Sequence, residues 1–231
     1  MQLLLLYCRG GISIKEVFSD IIVEAPLGSR TKLTLPDGTL VWLNAGSRIT
    51  YSQGFGVGNR KIELIGEGYF EVKRNEEVPF LVKTNSLLVK VLGTKFNFRD
   101  YPDDAEAIVS LSEGKVALNN LLKKEKEAFL LPNERVVLNK KNGRMHVEYS
   151  TVSNALQWTN GYLFFDEELL PDVVKELERS YNVKIASDTL NTFRFYGNFV
   201  HREQNIQEVL EALSATRKIH YIIEGHNITL Y

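Results

Sequence analysis

The side chains able to do chemistry are few and unevenly placed. All four histidines, His146, His201, His220 and His226, lie in the last 86 of 231 residues, so the first 145 positions hold no imidazole. His220 and His226 flank Glu224 and Gly225, an arrangement that suits a metal ion only when further ligands stand at matching spacing. None does, and the pair reads as surface histidines. The single cysteine, Cys8, excludes a disulfide within the chain and leaves no basis for a cysteine-built zinc cluster. Asp103, Asp104 and Glu106 follow Pro102. Paired carboxylates are what glycoside hydrolysis requires, yet consecutive acids beside a proline ordinarily form a solvated turn, and they are read so here. Gly66-Glu67-Gly68 is not followed by helical periodicity, so it lacks the helix N-terminus that lets a glycine loop hold phosphate. Trp42 and Trp158 adjoin apolar positions and read as core rather than as sugar-stacking platforms. No catalytic residue, cofactor site or metal site is assigned.

Composition narrows the function classes further. Twenty-eight Lys and Arg against 29 Asp and Glu leave a formal charge of −1, without the basic footprint of a nucleic-acid-binding protein. A hydrophobic content of 44% excludes disorder as the main state. Residues 1–150 carry 21 basic and 18 acidic side chains and residues 151–231 carry 7 and 11, a change from +3 to −4 that suggests a boundary near 150.

The elements that must position these residues are of two kinds. Leu3–Leu6 with Tyr7 and Cys8 is an apolar run too short for a membrane span or a signal-peptide core; residues 1–19 are read as a linker or the outer end of a truncated membrane anchor. From Asp20 to Tyr149 the period is two. Thr31–Leu35 and Thr39–Leu43 are joined by Pro36-Asp37-Gly38, whose fixed φ, side-chain acceptor and glycine suit successive turn corners. Asn44-Ala45-Gly46 is the next turn. Lys61–Ile65, Tyr69–Lys73, Phe80–Lys83, Leu87–Leu92, Lys95–Arg99, Ala107–Leu111 and Val116–Leu118 continue the alternation, with Gly66, Gly68, Gly93 and Gly114 between or bending them. Lys123–Glu127 reads as an exposed loop tip and Leu130–Glu134 as a turn. Asn142-Gly143 is a two-residue hairpin signal joining Arg135–Leu138 to Met145–Tyr149. Short strands at this spacing predict an antiparallel β-sandwich or jelly roll over 20–150.

After residue 150 the period becomes helical. Leu169, Leu170, Val173, Val174, Leu177 and Tyr181 share one face, with Asp166 as the expected N-cap and Pro171 in the first turn. Asn205 and Glu208 have capping-box spacing ahead of Ile206, Val209, Leu210 and Leu213. A shift of 36 residues superposes Gly161 on Gly197, Leu163 on Phe199, Leu170 on Ile206, Val173 on Val209, Val174 on Leu210, Leu177 on Leu213 and Val183 on Ile219. Residues 151–231 therefore read as a small α+β module of two β-α-β halves, closed by a last strand after Glu224-Gly225-His226.

The segments Leu35-Pro-Asp-Gly-Thr39, Val41-Trp-Leu-Asn-Ala45, Leu64–Val72, Pro79-Phe80, Val91–Phe98 and Glu113-Gly-Lys-Val116, in this order over about 120 residues, resemble the periplasmic domain of FecR-type anti-sigma factors. Residues 158–231 look like the C-terminal domain of such proteins, which is similar to the secretin/TonB short N-terminal (STN) module. The resemblance implies a non-enzymatic, periplasmic protein tethered to the inner membrane. Its implied partner is the signalling domain of a TonB-dependent outer-membrane transporter. An extracytoplasmic-function sigma factor would be contacted through an N-terminal region that this sequence does not match. Pro36, Asp37, Gly38, Trp42, Leu43, Asn44, Gly66, Phe70, Gly93, Thr94, Phe96 and Gly114 then read as architectural, with Trp42, Phe70 and Phe96 in the core. Phe195, Tyr196, Gly197, Asn198 and Phe199, with the final strand, are the expected contact surface, by addition of a partner strand. The competing readings are a carbohydrate-binding jelly roll and an acid-based hydrolase.

Overall fold

A computed structural model describes residues 5–8, 11–14, 19–149, 156–187, 194–200, 203–217 and 219–231. Within the stretch read as a linker, β1 (Leu5–Cys8) and β2 (Gly11–Ile14) pair as a hairpin. Alternation from Asp20 onward then yields thirteen strands: β3 (Asp20–Ala25), β4 (Thr31–Thr34), β5 (Leu40–Leu43), β6 (Ser47–Ser52), β7 (Arg60–Glu71), β8 (Phe80–Lys83), β9 (Leu87–Val91), β10 (Lys95–Asp100), β11 (Glu106–Glu113), β12 (Val116–Asn120), β13 (Ala128–Leu130), β14 (Glu134–Asn139) and β15 (Met145–Tyr149).

The organising strand is β7. Sequence reading splits it at Gly66, but it is continuous for 12 residues. Its first half pairs with β6 and β8 and its second half with β5 and β10, so one strand belongs to two groups of neighbours. Gly66 stands at the change, with φ +98°, and a Cβ there would lie 2.4 Å from the Ser47 hydroxyl. Only glycine meets both demands. The strands form one continuous mixed sheet rather than the expected all-antiparallel arrangement, because β7 and β8 run parallel. Phe70, Phe80, Phe96 and Phe98, drawn from both groups, are fully buried in a single core. The Asn142-Gly143 turn is also wider than expected. The last register pair is Leu138 with Met145, and Asn139 N–H donates to Arg144 O, leaving four residues between them.

The second apolar cluster begins after a 3-10 turn at Gln157–Asn160. It is built from β16 (Tyr162–Leu169), α1 (Leu170–Tyr181), β17 (Lys184–Ser187), β18 (Arg194–Val200), α2 (Ile206–Ser214), β19 (Tyr221–Glu224) and β20 (Asn227–Leu230). The order strand-helix-strand occurs twice, and Leu163, Phe199, Val173, Val209, Leu177 and Leu213, which correspond across the 36-residue shift, all enter this cluster. Neither half closes on itself, however. β16 pairs with β18, while β17 and β19 flank β20. Asp166 is not the N-cap of α1. It lies in β16 beside a bulge where Glu167 takes φ +56°, and the helix starts after Leu169 with Pro171 in its first turn. The capping box of α2 forms as expected, with Glu208 N–H donating to Asn205 Oδ1 at 3.0 Å and Asn205 N–H donating to Glu208 Oε2 at 3.2 Å.

Candidate functional site

Helix α1 has two buried faces of opposite character. Leu170, Val173, Val174 and Leu177 enter the C-terminal core, while Glu176, Arg179 and Ser180 are buried against the β domain. Opposite them the turn after β10 presents Asp103 and Asp104. Arg179 Nη1 lies 3.0 Å from Asp104 Oδ1 and 3.5 Å from Asp103, and its guanidinium sits 3.9 Å from the centre of the Tyr101 ring. Arg99 bridges both sides, 2.9 Å from Asp104 and 3.4 Å from Glu176. Lys175 Nζ donates to Asp103 O at 2.7 Å, and Gly28 N–H donates to Arg179 O at 2.8 Å. The reading of Asp103 and Asp104 as a solvated turn is therefore corrected for Asp104, which is 8% exposed.

Behind this row runs a second chain of hydrogen bonds. Trp158 Nε1 donates to Asn97 Oδ1 at 3.1 Å, Asn97 Nδ2 to Glu67 Oε1 at 2.8 Å, and Asn44 Nδ2 to Glu67 Oε2 at 2.9 Å. The Tyr101 hydroxyl donates to Ala45 O at 2.8 Å and accepts from Ser47 Oγ, which itself accepts from Glu67 N–H. Burial pushes the Glu67 carboxyl above its ordinary range, against the pull of Arg99. Burial also acts to raise Asp104 and Glu176, but Arg99 and Arg179 outweigh it and hold both below their ordinary values. Together these contacts form a polar, ion-paired seam that joins the two cores. Among the described residues its carboxylates Glu67, Asp104 and Glu176 are each engaged by an amide or a guanidinium.

The sequence-assigned residues fall in several places. Pro36, Asp37 and Gly38 form the β4–β5 turn, and Asp37 does more than turn the chain. Its carboxylate accepts from Thr39 and meets the buried Arg60 at 3.1 Å, whose guanidinium also donates to the carbonyls of Lys73, Asn75 and Val78. Leu43, Phe70 and Phe96 are core. Asn44 belongs to the seam, and Gly66 is the bend of β7. Gly93, Thr94 and Gly114 meet at one crossing, where a Cβ on Gly114 would lie 2.9 Å from Gly93 O and Thr94 Oγ1 donates to Lys115 O at 3.0 Å. Trp42 is half-buried and lines a cleft, so its core assignment is corrected, whereas Trp158 is buried. His220 and His226 are exposed, and His201 lies outside the described residues. No group of three metal-ligating side chains occurs among the described residues.

In the expected contact strand, Phe195 and Phe199 point into the C-terminal core, while Tyr196 is 66% exposed and Asn198 is exposed. Gly197 faces the Phe199 ring, with a Cβ position 2.6 Å from it. The final strand, β20, is no edge at all, since β17 and β19 take both its sides. Among the described residues the edges of that sheet are β17 and β19, and β19 has Ile222 50% and Ile223 37% exposed.

The FecR protein family model matches residues 22–117, and the model described as FecR, C-terminal, matches residues 162–230. Two crystal structures of a candidate anti-sigma factor from Parabacteroides distasonis ATCC 8503 are similar over almost their whole length. The one at 1.65 Å resolution is 34% identical, with 91% of this chain and 98% of that chain covered and a TM-score of 0.84. The one at 2.50 Å is 33% identical, with 92% and 99% covered and a TM-score of 0.85. No curated protein matches the sequence. With both FecR models matched in order and one fold shared at a third identity from end to end, the chain belongs to the FecR family of anti-sigma factors, a family of regulators rather than enzymes.

Proposed function

We propose that the chain is the periplasmic sensor region of a membrane-tethered FecR-type anti-sigma factor, and that it relays a signal from a TonB-dependent outer-membrane transporter to an extracytoplasmic-function sigma factor by protein contact. In this reading the C-terminal domain plays the part of an STN-like module and receives the transporter's signalling domain. The observation that carries it is the free edge of β19. It has an unpaired row of backbone groups among the described residues, two exposed isoleucines and no proline or lysine in the strand. Such an edge is open to pairing with an added strand, and proteins that do not use an edge ordinarily blunt it. Tyr196 on β18 supplies an exposed aromatic anchor in the same domain.

The test is calorimetric titration of this chain with the signalling domain of a TonB-dependent transporter from the same organism. Binding is expected, and Ile222→Lys is expected to weaken it by about tenfold or more, because a hot-spot side chain contributes about 1–2 kcal/mol or more. Absence of binding to that domain sinks the relay. Binding that Ile222→Lys and Tyr196→Ala leave unchanged moves the contact elsewhere.

A further inference from the structure

Beside the seam lies a cleft of about 360 Å³, lined by Gly28, Arg30, Lys32, Trp42, Trp158 and Thr159 among others. Both tryptophans of the chain line it. Trp42 comes from β5 and Trp158 from the turn that leads into the C-terminal domain, so an occupant touches both parts of the molecule. The charges lining the cleft are cationic. Arg99, Lys140, Lys175 and Arg179 each have a carboxylate within 4.0 Å, whereas no carboxylate stands that close to Lys32 among the described residues. Its ammonium instead lies 4.5 Å from the centre of the Trp42 ring, which holds the cation in place without neutralising it. Tyr69 backs that ring at a centroid distance of 5.3 Å.

The amides behind the cleft are turned inward, and little neutral hydrogen-bonding capacity faces it: Asn44 Oδ1 accepts from Arg30 Nε and Ala45 N–H, Asn97 Oδ1 accepts from Trp158, and the Thr159 hydroxyl gives its proton to Leu156 O. What the cleft offers is positive charge beside two indole faces. We propose that it receives an acidic segment of a protein partner, whose carboxylates meet Lys32 while its apolar groups lie on the indoles. This rests on the reading that the chain acts through protein contact, and it adds a contact that spans the seam to the one at β19.

The experiment uses the intact chain and hexaglutamate as probe, read by tryptophan fluorescence and by calorimetry, with maltohexaose for comparison. Hexaglutamate is expected to perturb the emission, to bind less tightly as salt rises, and to lose about tenfold or more in affinity for Lys32→Glu, since an attraction at contact distance becomes a repulsion. Lys32→Arg keeps the response. The proposal is overturned if hexaglutamate leaves the emission unchanged, if Lys32→Glu binds it as well as the native chain, or if maltohexaose binds and hexaglutamate does not. Titration with the transporter's signalling domain separates the two readings. If that domain binds Lys32→Glu undiminished, the cleft proposal falls and the relay stands; if hexaglutamate binds as expected and the signalling domain does not bind the native chain, the relay falls and the cleft stands.

Discussion

Glu67 is held where only an acceptor on both oxygens fits. The Asn97 amide cannot turn, because its Oδ1 takes the Trp158 indole N–H, and the Asn44 amide cannot turn, because its Oδ1 takes Arg30 Nε and Ala45 N–H. Both therefore aim an NH2 group at Glu67. Glu67→Gln removes a buried charge, and by burial alone that change is favourable. It also sets one NH2 against another and strands a buried donor. The expected outcome is a loss of about 1–3 kcal/mol of stability at neutral pH, seen as a lower urea midpoint with an unchanged slope. A gain in stability would show that burial of the carboxylate outweighs the directed hydrogen bonds.

At the scale of elements, α1 is the part that sequence reading half resolved. Its apolar stripe at Val173, Val174 and Leu177 is plain from the period, and it packs as the period demands. Its second face was illegible, because Glu176, Arg179 and Ser180 are residues that a solvated helix face ordinarily carries, and the partners of Glu176 and Arg179 lie 75 to 77 residues away, in β10 and in a turn that also looks solvated. The strands were legible wherever turn chemistry bounded them, as at Pro36-Asp37-Gly38. They were not where glycine bends a continuous strand, as at Gly66, or where a bulge replaces a cap, as at Glu167. The α1 face makes stability depend on pH. Asp104 and Glu176 titrate below their unfolded values, so their contribution is complete above the unfolded carboxyl pKa of about 4 and is lost as pH falls through the lower folded value. Unfolding free energy is expected to fall as pH drops below about 4. In Arg179→Met, where Arg99 stays beside both carboxyls and Arg30 still acts on Glu176, that fall should be shallower, and the variant should lose about 3 kcal/mol at neutral pH because two buried carboxylates each lose one cationic partner. Denaturant titrations of both proteins at several pH values read the two effects separately.

For the whole molecule, the two cores are joined through charges rather than through apolar surface. Each face of such a joint tolerates water when exposed, as the interfaces of movable domains do. Arg179→Glu places a further carboxylate beside Asp103, Asp104 and Glu176 and should part the domains without unfolding either. Hydrogen exchange is then expected to rise for the backbone amides of residues 99–104 and 175–181, with those of β9 and β12 as slow as in the native chain. Equal acceleration throughout both cores would show instead that the domains stand or fall together.

The double membership of β7 also sets an order of assembly. All four of its partners, β5, β6, β8 and β10, lie between residues 40 and 100, so every loop that must close to complete it is short. Loop closure is the entropic barrier that slows non-local sheets. The strands from Leu40 to Asp100 are therefore the expected nucleus of the β domain, to which β3, β4, β11 and the later strands add. Residues 99–104 stand at the end of that nucleus, so the acceptor for α1 is in place before the C-terminal chain arrives to meet it.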